Sequence, residues 1–119
     1  MEEKQKYDLE DRTLKFAINV RNFTKKVPKT ISNLEDTKQL IRSSGSIGAN
    51  YIEANESLSK KDFLLRIKIS RKEAKESRYW LSLLDTAPDL DEERKRLVQE
   101  SIELTRIFGS IVTKSISVI

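Results

Sequence analysis

Three carboxylates are the residues of this chain that come closest to a metal or acid–base site. Glu53, Glu73 and Glu76 could ligate a cation through oxygen, as carboxylate-bridged centres in helical bundles do. Those centres also use a Glu-x-x-His motif, and the 119-residue chain contains neither His nor Cys. The sequence therefore predicts no metal site and no cofactor. It also excludes thiol and histidine catalysis, so we expect a protein that is not an enzyme.

A row of cations at the spacing of one helix face is the second candidate site. Its four members, called the basic row here, follow at intervals of three, four and three residues: Lys68, Arg71, Lys75 and Arg78. Two further lysines, Lys61 and Lys72, lie near them on the same predicted helix. Residues 60–80 contain eight basic and three acidic residues, a net charge of +5 that exceeds the +4 of the whole chain. A row of this kind would attract the phosphates of RNA or DNA.

The basic row has a second interpretation that the sequence leaves open. A helix with a heptad pattern needs a solvated face, which Lys and Arg fill well, and the acidic fourth helix predicted below could neutralise it. Assembly of several copies would favour the first interpretation, because cations gathered in one groove raise the local potential.

A row of hydrogen-bonding side chains forms a third candidate. Its members, called the polar row here, are spaced by four, four and three residues: Arg42, Ser46, Asn50 and Glu53. The pattern predicts a polar network that fixes helix register, either inside a bundle or between subunits.

These rows require long helices to position them. Pro28 and Pro88 interrupt the chain, and a further break is expected near Ser57 to Ser59, where Ser59 and Asp62 resemble a capping box. Four helices result, at about 8–27, 33–57, 60–87 and 90–116, and we expect Asp89 to be the N-cap of the last. The chain 1–119 is predicted to be one all-α domain, an antiparallel up-down-up-down four-helix bundle.

Apolar periodicity predicts which face of each helix is buried. The clearest seam lies on the third helix at alternating spacings of four and three: Phe63, Ile67, Ser70, Ala74, Ser77, Leu81 and Leu84. The stripes of the other helices include Leu9, Phe16, Val20, Phe23 and Val27, then Leu40, Ser44, Ile47, Tyr51, Ala54 and Leu58, then Leu97, Leu104, Ile107, Phe108, Ile111 and Val112. Small residues at Ser44, Gly45, Gly48 and Ala49 predict close packing of the second helix.

The opposite flank of the third helix is half apolar. Ile69, Glu73, Glu76, Trp80 and Leu83 recur there at helical spacing. Trp80 is either an anchor for an interface or a plug for the end of the bundle. A protein partner recruited by this flank would make the chain a structural or adaptor module.

No window of the sequence has the apolar length of a membrane span, and 35% of the residues are charged. We therefore expect a cytoplasmic protein without a membrane partner. The last five residues alternate like a strand, which leaves a frayed helix end and a terminal extension as alternatives.

Two segments resemble a known family. Residues 39–54, QLIRSSGSIGANYIEA, and 72–84, KEAKESRYWLSLL, are similar to motifs of bacterial four-helix-bundle proteins first associated with intervening sequences of 23S ribosomal RNA genes. The resemblance implies an antiparallel four-helix bundle that assembles as a homopentamer. It also implies a distant likeness to the basic accessory protein of diversity-generating retroelements, which associates with nucleic acid and a reverse transcriptase, and it does not imply an enzyme.

The polar row and Glu76 match the family pattern, which implies a structural or assembly role for Arg42, Ser46, Asn50, Glu53 and Glu76. The basic row is inferred from the charges alone. The first functional hypothesis is an oligomeric bundle whose basic surface contacts phosphates of RNA or DNA without reading the sequence, and the second is the adaptor module.

Overall fold

Four long helices make up the chain. The computed structural model describes the backbone from residue 2 to 117 and the side chains from 9 to 116. The helices are α1 (Glu2–Thr24), α2 (Ile31–Asn55), α3 (Lys60–Leu83) and α4 (Asp91–Ser117), and no strand occurs among the described residues. Each helix packs against its neighbour in sequence and α4 closes against α1, which confirms the antiparallel four-helix bundle.

The core consists of the predicted stripes. Nearly all of the expected positions are buried, and Phe63, Ile107 and Ile111 are half-buried at the edge of the core. Leu58 is an exception, because α2 ends at Asn55 and the side chain of Leu58 is fully exposed in the connection to α3. Its place in the predicted stripe was wrong because a stripe continues only while the helix does.

Close packing joins α2 to both of its neighbours. A Cβ on Gly48 would lie 2.8 Å from Thr13 Oγ1, so α1 approaches the backbone of α2 at this point. On the other side, the Oγ atoms of Ser43 and Ser77 are 2.9 Å apart and Ser70 Oγ donates to the carbonyl of Ile47. These small side chains let α2 and α3 pack along a buried polar seam.

The third helix ends four residues before the predicted boundary, at Leu83 instead of residue 87. Leu84 is extended, and the carboxamide of Asn33 donates to the carbonyl of Asp85 (2.8 Å) and accepts from its amide (3.0 Å). Arg94 donates to the carbonyls of Leu81 and Leu84. These bonds satisfy the end of α3 from outside the helix, so the chain turns early.

Among the other helix ends, α1 begins six residues before the predicted boundary, at Glu2 instead of residue 8, and the rest differ by three residues or fewer. Ser59 is the N-cap of α3 as expected, accepting from the amide of Asp62 at 3.0 Å, and Thr30 caps α2 in the same way. Asp89 is not the N-cap of α4, because the chain enters that helix through a single 3₁₀ turn at Pro88–Leu90. The end of α4 is helical through Ser117, and the last two residues of the alternating segment lie outside the described part.

Candidate nucleic-acid interface

The basic row lies on the outer surface of α3. Its members and the two additional lysines are exposed, except for Arg71, which is half-buried: Lys61, Lys68, Arg71, Lys72, Lys75 and Arg78. The Cδ atom of Arg71 would be 3.7 Å from a Cβ on Gly109 of α4, so the stem of this side chain packs beside α4. The basic row is therefore separate from the buried seam of α3.

Three acidic residues of α4, namely Glu93, Glu100 and Glu103, form ion pairs with α1 or with the residues just after it. Arg12 donates to both oxygens of Glu100 (2.7 and 2.8 Å) and to Glu103 (2.8 Å), and Lys26 pairs with Glu93 at 2.7 Å. Across residues 9–116, no carboxylate lies within 4.0 Å of the cationic atoms of the basic row. Lys72 lies beside the row, and its Nζ atom is 3.9 Å from Oε2 of Glu73.

The α1–α4 ion pairs also affect the charge states of their members. The hydrogen bonds that Arg12 donates to Glu100 keep the pKa of the Arg12 guanidinium above its ordinary value. The pKa of Glu103 is lowered, chiefly by the hydrogen bond from Gln99 and also by Arg12. Arg12 and Glu103 therefore remain charged opposite each other, and the Glu103 carboxylate is bound to α1.

A groove of about 850 Å³ follows the basic row on the side of α2. Its lining includes five cations and one carboxylate, together with the aromatic side chains at its end: Lys68, Arg71, Lys72 and Lys75, with Arg42 of α2 and Glu76. Arg42 thus belongs to the same surface as the basic row, although its Nη1 atom is 3.5 Å from Gln39 Oε1. The groove is the place where the structure gathers cations from two helices.

The polar row divides into two parts. Asn50 Nδ2 donates to the carbonyl and the hydroxyl oxygen of Ser46, both at 2.9 Å, and Asn50 Oδ1 accepts from Arg66 of α3 at 3.1 Å. Arg42 and Glu53 are exposed and do not bond each other, so the network of the complete row does not lie inside the bundle of one chain. Arg66 is the residue that the sequence interpretation missed, because its partner is 16 positions away.

The carboxylates do not form a metal site. Glu73 is half-buried, and burial together with the neighbouring Glu76 raises its pKa. Among the described residues, no group of three or more carboxylates is arranged to hold a metal ion. The raised pKa follows from desolvation and from the like charge of Glu76, both of which disfavour the ionised form of Glu73.

Two aromatic side chains close the groove at one end. Trp80 is half-buried against the core and Tyr79 is 59% exposed. Their ring centroids are 5.1 Å apart at an interplanar angle of 77°, an edge-to-face contact. Part of Trp80 therefore packs on the bundle and part of it lines the groove, and its role as an anchor for an interface stays a prediction.

A further groove, of about 750 Å³, lies between α1 and α4. The Lys26–Glu93 and Arg12–Glu100 pairs border it, and Phe16 and Leu97 form its base. Both signs of charge line this groove, so it lacks the uniform potential of the basic row. Within the part of the chain that the structure describes, no helix is long and apolar enough to cross a membrane.

The four-helix fold of this chain is similar to that of a protein of known structure. A protein of unknown function from the S23 ribosomal protein family of Bacteroides thetaiotaomicron is 32% identical, with a TM-score of 0.73 over 87% of this chain and 96% of that chain. The family model described as 23S rRNA-intervening sequence protein matches residues 5–110. This chain belongs to that family. No curated protein matches it in sequence.

Membership of the 23S rRNA-intervening sequence protein family confirms the resemblance seen in the α2 and α3 segments. The match extends over all four helices and ends at residue 110, so it includes the basic row, the polar row and both aromatic residues of the groove.

Proposed function

We propose that this protein is a non-enzymatic nucleic-acid-binding bundle that contacts phosphates of RNA or DNA through the basic row. The observation that carries the proposal is the pairing of the α4 carboxylates with α1. That pairing engages Glu93, Glu100 and Glu103 away from the basic row, which supports the proposal over the alternative in which an acidic α4 neutralises α3. The cations of the row then bind counterions in solution, and phosphates would release them.

The chemistry of the surface favours contacts to the phosphate backbone over base readout. Long Lys and Arg side chains on an exposed helix face provide charge without a rigid arrangement of donors and acceptors. We therefore expect similar affinity for different sequences. If about six phosphates are contacted, the logarithm of the affinity should fall with the logarithm of salt concentration at a slope of about −5 for duplex DNA.

The test reverses the four members of the basic row, Lys68, Arg71, Lys75 and Arg78, to Glu in the full chain. A matched control reverses four exposed lysines outside α3: Lys25, Lys29, Lys38 and Lys95. Both variants have the same net charge, and in the control Lys38 and Lys95 also lose their exposed ion pairs with Glu35 and Glu92. Fluorescence anisotropy at roughly 50 mM salt should show loss of RNA and duplex DNA binding for the first variant and largely retained binding for the control.

A second version of the test replaces the same four positions with Gln, which removes the charge without adding repulsion beside Glu73 and Glu76. It should weaken binding while circular dichroism shows unchanged helicity. Absence of binding by the wild type, or equal binding by the variants of the row and by the control, would show that the basic row is only a solvated face.

The adaptor function remains the second candidate, because apolar surface is present on the other flank of α3. Leu83 is 47% exposed, and Ile69 and Trp80 are half-buried beside the acidic pair. A protein that docks there would bind with little dependence on salt, whereas phosphate binding would weaken steeply. We further propose assembly as a homo-oligomer, a pentamer by resemblance to the family.

A further inference from the structure

The groove between α3 and α4 combines cations with aromatic and apolar surface. It encloses about 480 Å³ and is lined by Lys75, Arg78 and Tyr79 of α3 and by Ile102, Thr105 and Arg106 of α4. A ligand that consisted only of phosphate would contact the cations and would not need the aromatic and apolar side chains. The ring of Tyr79 and the side chain of Ile102 indicate that the occupant also has a flat, poorly hydrated part.

Tyr79 connects this groove with the larger groove on the α2 side. Its side chain lines both of them and more than half of its surface is exposed. Trp80, which packs against the core, contacts the Tyr79 ring edge-to-face. The ring is therefore supported from inside the bundle and surrounded by cations from two helices.

The hydroxyl groups in the groove limit what can bind there. Ser82 Oγ donates to the carbonyl of Arg78 at 2.8 Å, and Thr105 Oγ1 donates to the carbonyl of Ser101 at 2.7 Å. In these bonds each hydroxyl hydrogen is used, so the lone pairs of both oxygens are free to accept a bond from a ligand. They can therefore accept from the amino groups of nucleobases, and the cations are the groups that suit phosphate.

We propose that the α3–α4 groove receives an unpaired base of a single-stranded nucleic acid, stacked on Tyr79, with the adjacent phosphates on Lys75, Arg78 and Arg106. This inference rests on the proposed function and specifies its ligand as single-stranded. In a duplex the bases stack on each other, so no base is available to Tyr79.

The test compares an unstructured RNA strand of about 20 nucleotides with its duplex, and the corresponding DNA strand with its duplex, at roughly 50 mM salt. Tyr79→Leu should weaken single-strand binding at least about fivefold and leave duplex binding unchanged, because only stacking is removed. Tyr79→Phe should retain the affinity. Leu83→Ala is the matched control, since Leu83 is exposed on α3 but does not line the groove.

Trp80 provides a measurement that does not depend on a variant. It is the single tryptophan of the chain and lies against Tyr79. A base stacked on Tyr79 should change the tryptophan emission when the single strand is added, and the duplex should change it much less.

The outcomes separate the two proposals. The base site would be refuted if the wild type bound strand and duplex with equal affinity and Tyr79→Leu had the same affinities as the wild type. Phosphate binding by the basic row would then remain intact. Loss of strand and duplex binding to the same extent in Tyr79→Leu would also refute the base site. No binding of either form by the wild type would refute the proposed function itself.

Discussion

At the scale of single residues, Glu73 has a protonation state that depends on the fold. Burial raises its pKa and the neighbouring Glu76 raises it further, while Lys72 and Arg42 act in the opposite direction. The folded chain therefore holds this proton more tightly than the unfolded chain. As a result, the free energy of unfolding should fall as the pH rises from the ordinary range of a glutamate through the raised pKa.

Glu73→Gln should remove this loss of stability. We expect the variant to be more stable than the wild type near neutral pH, by no more than about 1 kcal/mol because partial solvent access screens the effect. The difference should shrink as the pH falls below the ordinary pKa of a glutamate, about 4.3, because the carboxyl group then becomes protonated in both states. Thermal unfolding across this pH range measures it, with Glu53→Gln as an exposed control. A stability gain that does not change with pH would contradict this account.

Single residues also show how far sequence reasoning could go. The charges of the basic row depend only on residue type and helical spacing, so their common exposed surface could be predicted. Asn33 and Arg94 could not be recognised in this way. The partners of Asn33 include the carbonyl of Pro28 and the backbone of Asp85, which is 52 positions away, and no local pattern indicates such bonds.

At the scale of elements, the glycines of α2 distinguish two surfaces. At Gly48 an added Cβ would lie 2.8 Å from Thr13 Oγ1, and Thr13 is a buried β-branched residue with little freedom to move. At Gly45 the nearest atom is the guanidinium of Arg21 at 3.6 Å, an ordinary contact. The helix therefore needs glycine at the first position and not at the second.

Gly48→Ala should lower the free energy of unfolding, because overpacking of about 1 to 3 kcal/mol exceeds the gain of about 1 kcal/mol in helix propensity. Gly45→Ala, one turn away, should raise it by up to about 1 kcal/mol. Chemical denaturation of both variants provides the comparison. If both changes stabilise the chain, α1 can move away from α2 and the close approach is not required.

Helix positions were predicted better than helix ends for a related physical reason. The heptad seam of α3 and the break at Ser59 are encoded by spacing and by a local cap. The end of α3 is determined by Asn33 and Arg94, which lie on other elements, and the 3₁₀ turn at Pro88–Leu90 precedes α4. The predicted helix ends were therefore wrong where contacts between elements, and not local spacing, determine the end.

At the scale of the whole molecule, charge gives assembly and nucleic-acid binding opposite responses to salt. Each chain has a net charge of +4, so copies that associate repel one another. Added salt screens that repulsion and should strengthen assembly. The same salt weakens phosphate binding, because the entropy gained from each released counterion falls as the bulk salt concentration rises. An oligomer that persists at high salt after nucleic acid has dissociated would fit both properties.

The last prediction is that light scattering of the full chain gives a mass near five times 13.8 kDa. Trp80→Ala should shift this mass toward the monomer if the exposed part of Trp80 packs against another copy. Because Trp80 also packs on its own core, its loss destabilises the single chain as well. Phe63→Ala is the matched control, since Phe63 is a half-buried aromatic residue of α3 that packs against the same core. Equal masses for the two variants at equal stability would assign Trp80 to the bundle alone, and a monomeric wild type at micromolar concentration would rule out the pentamer.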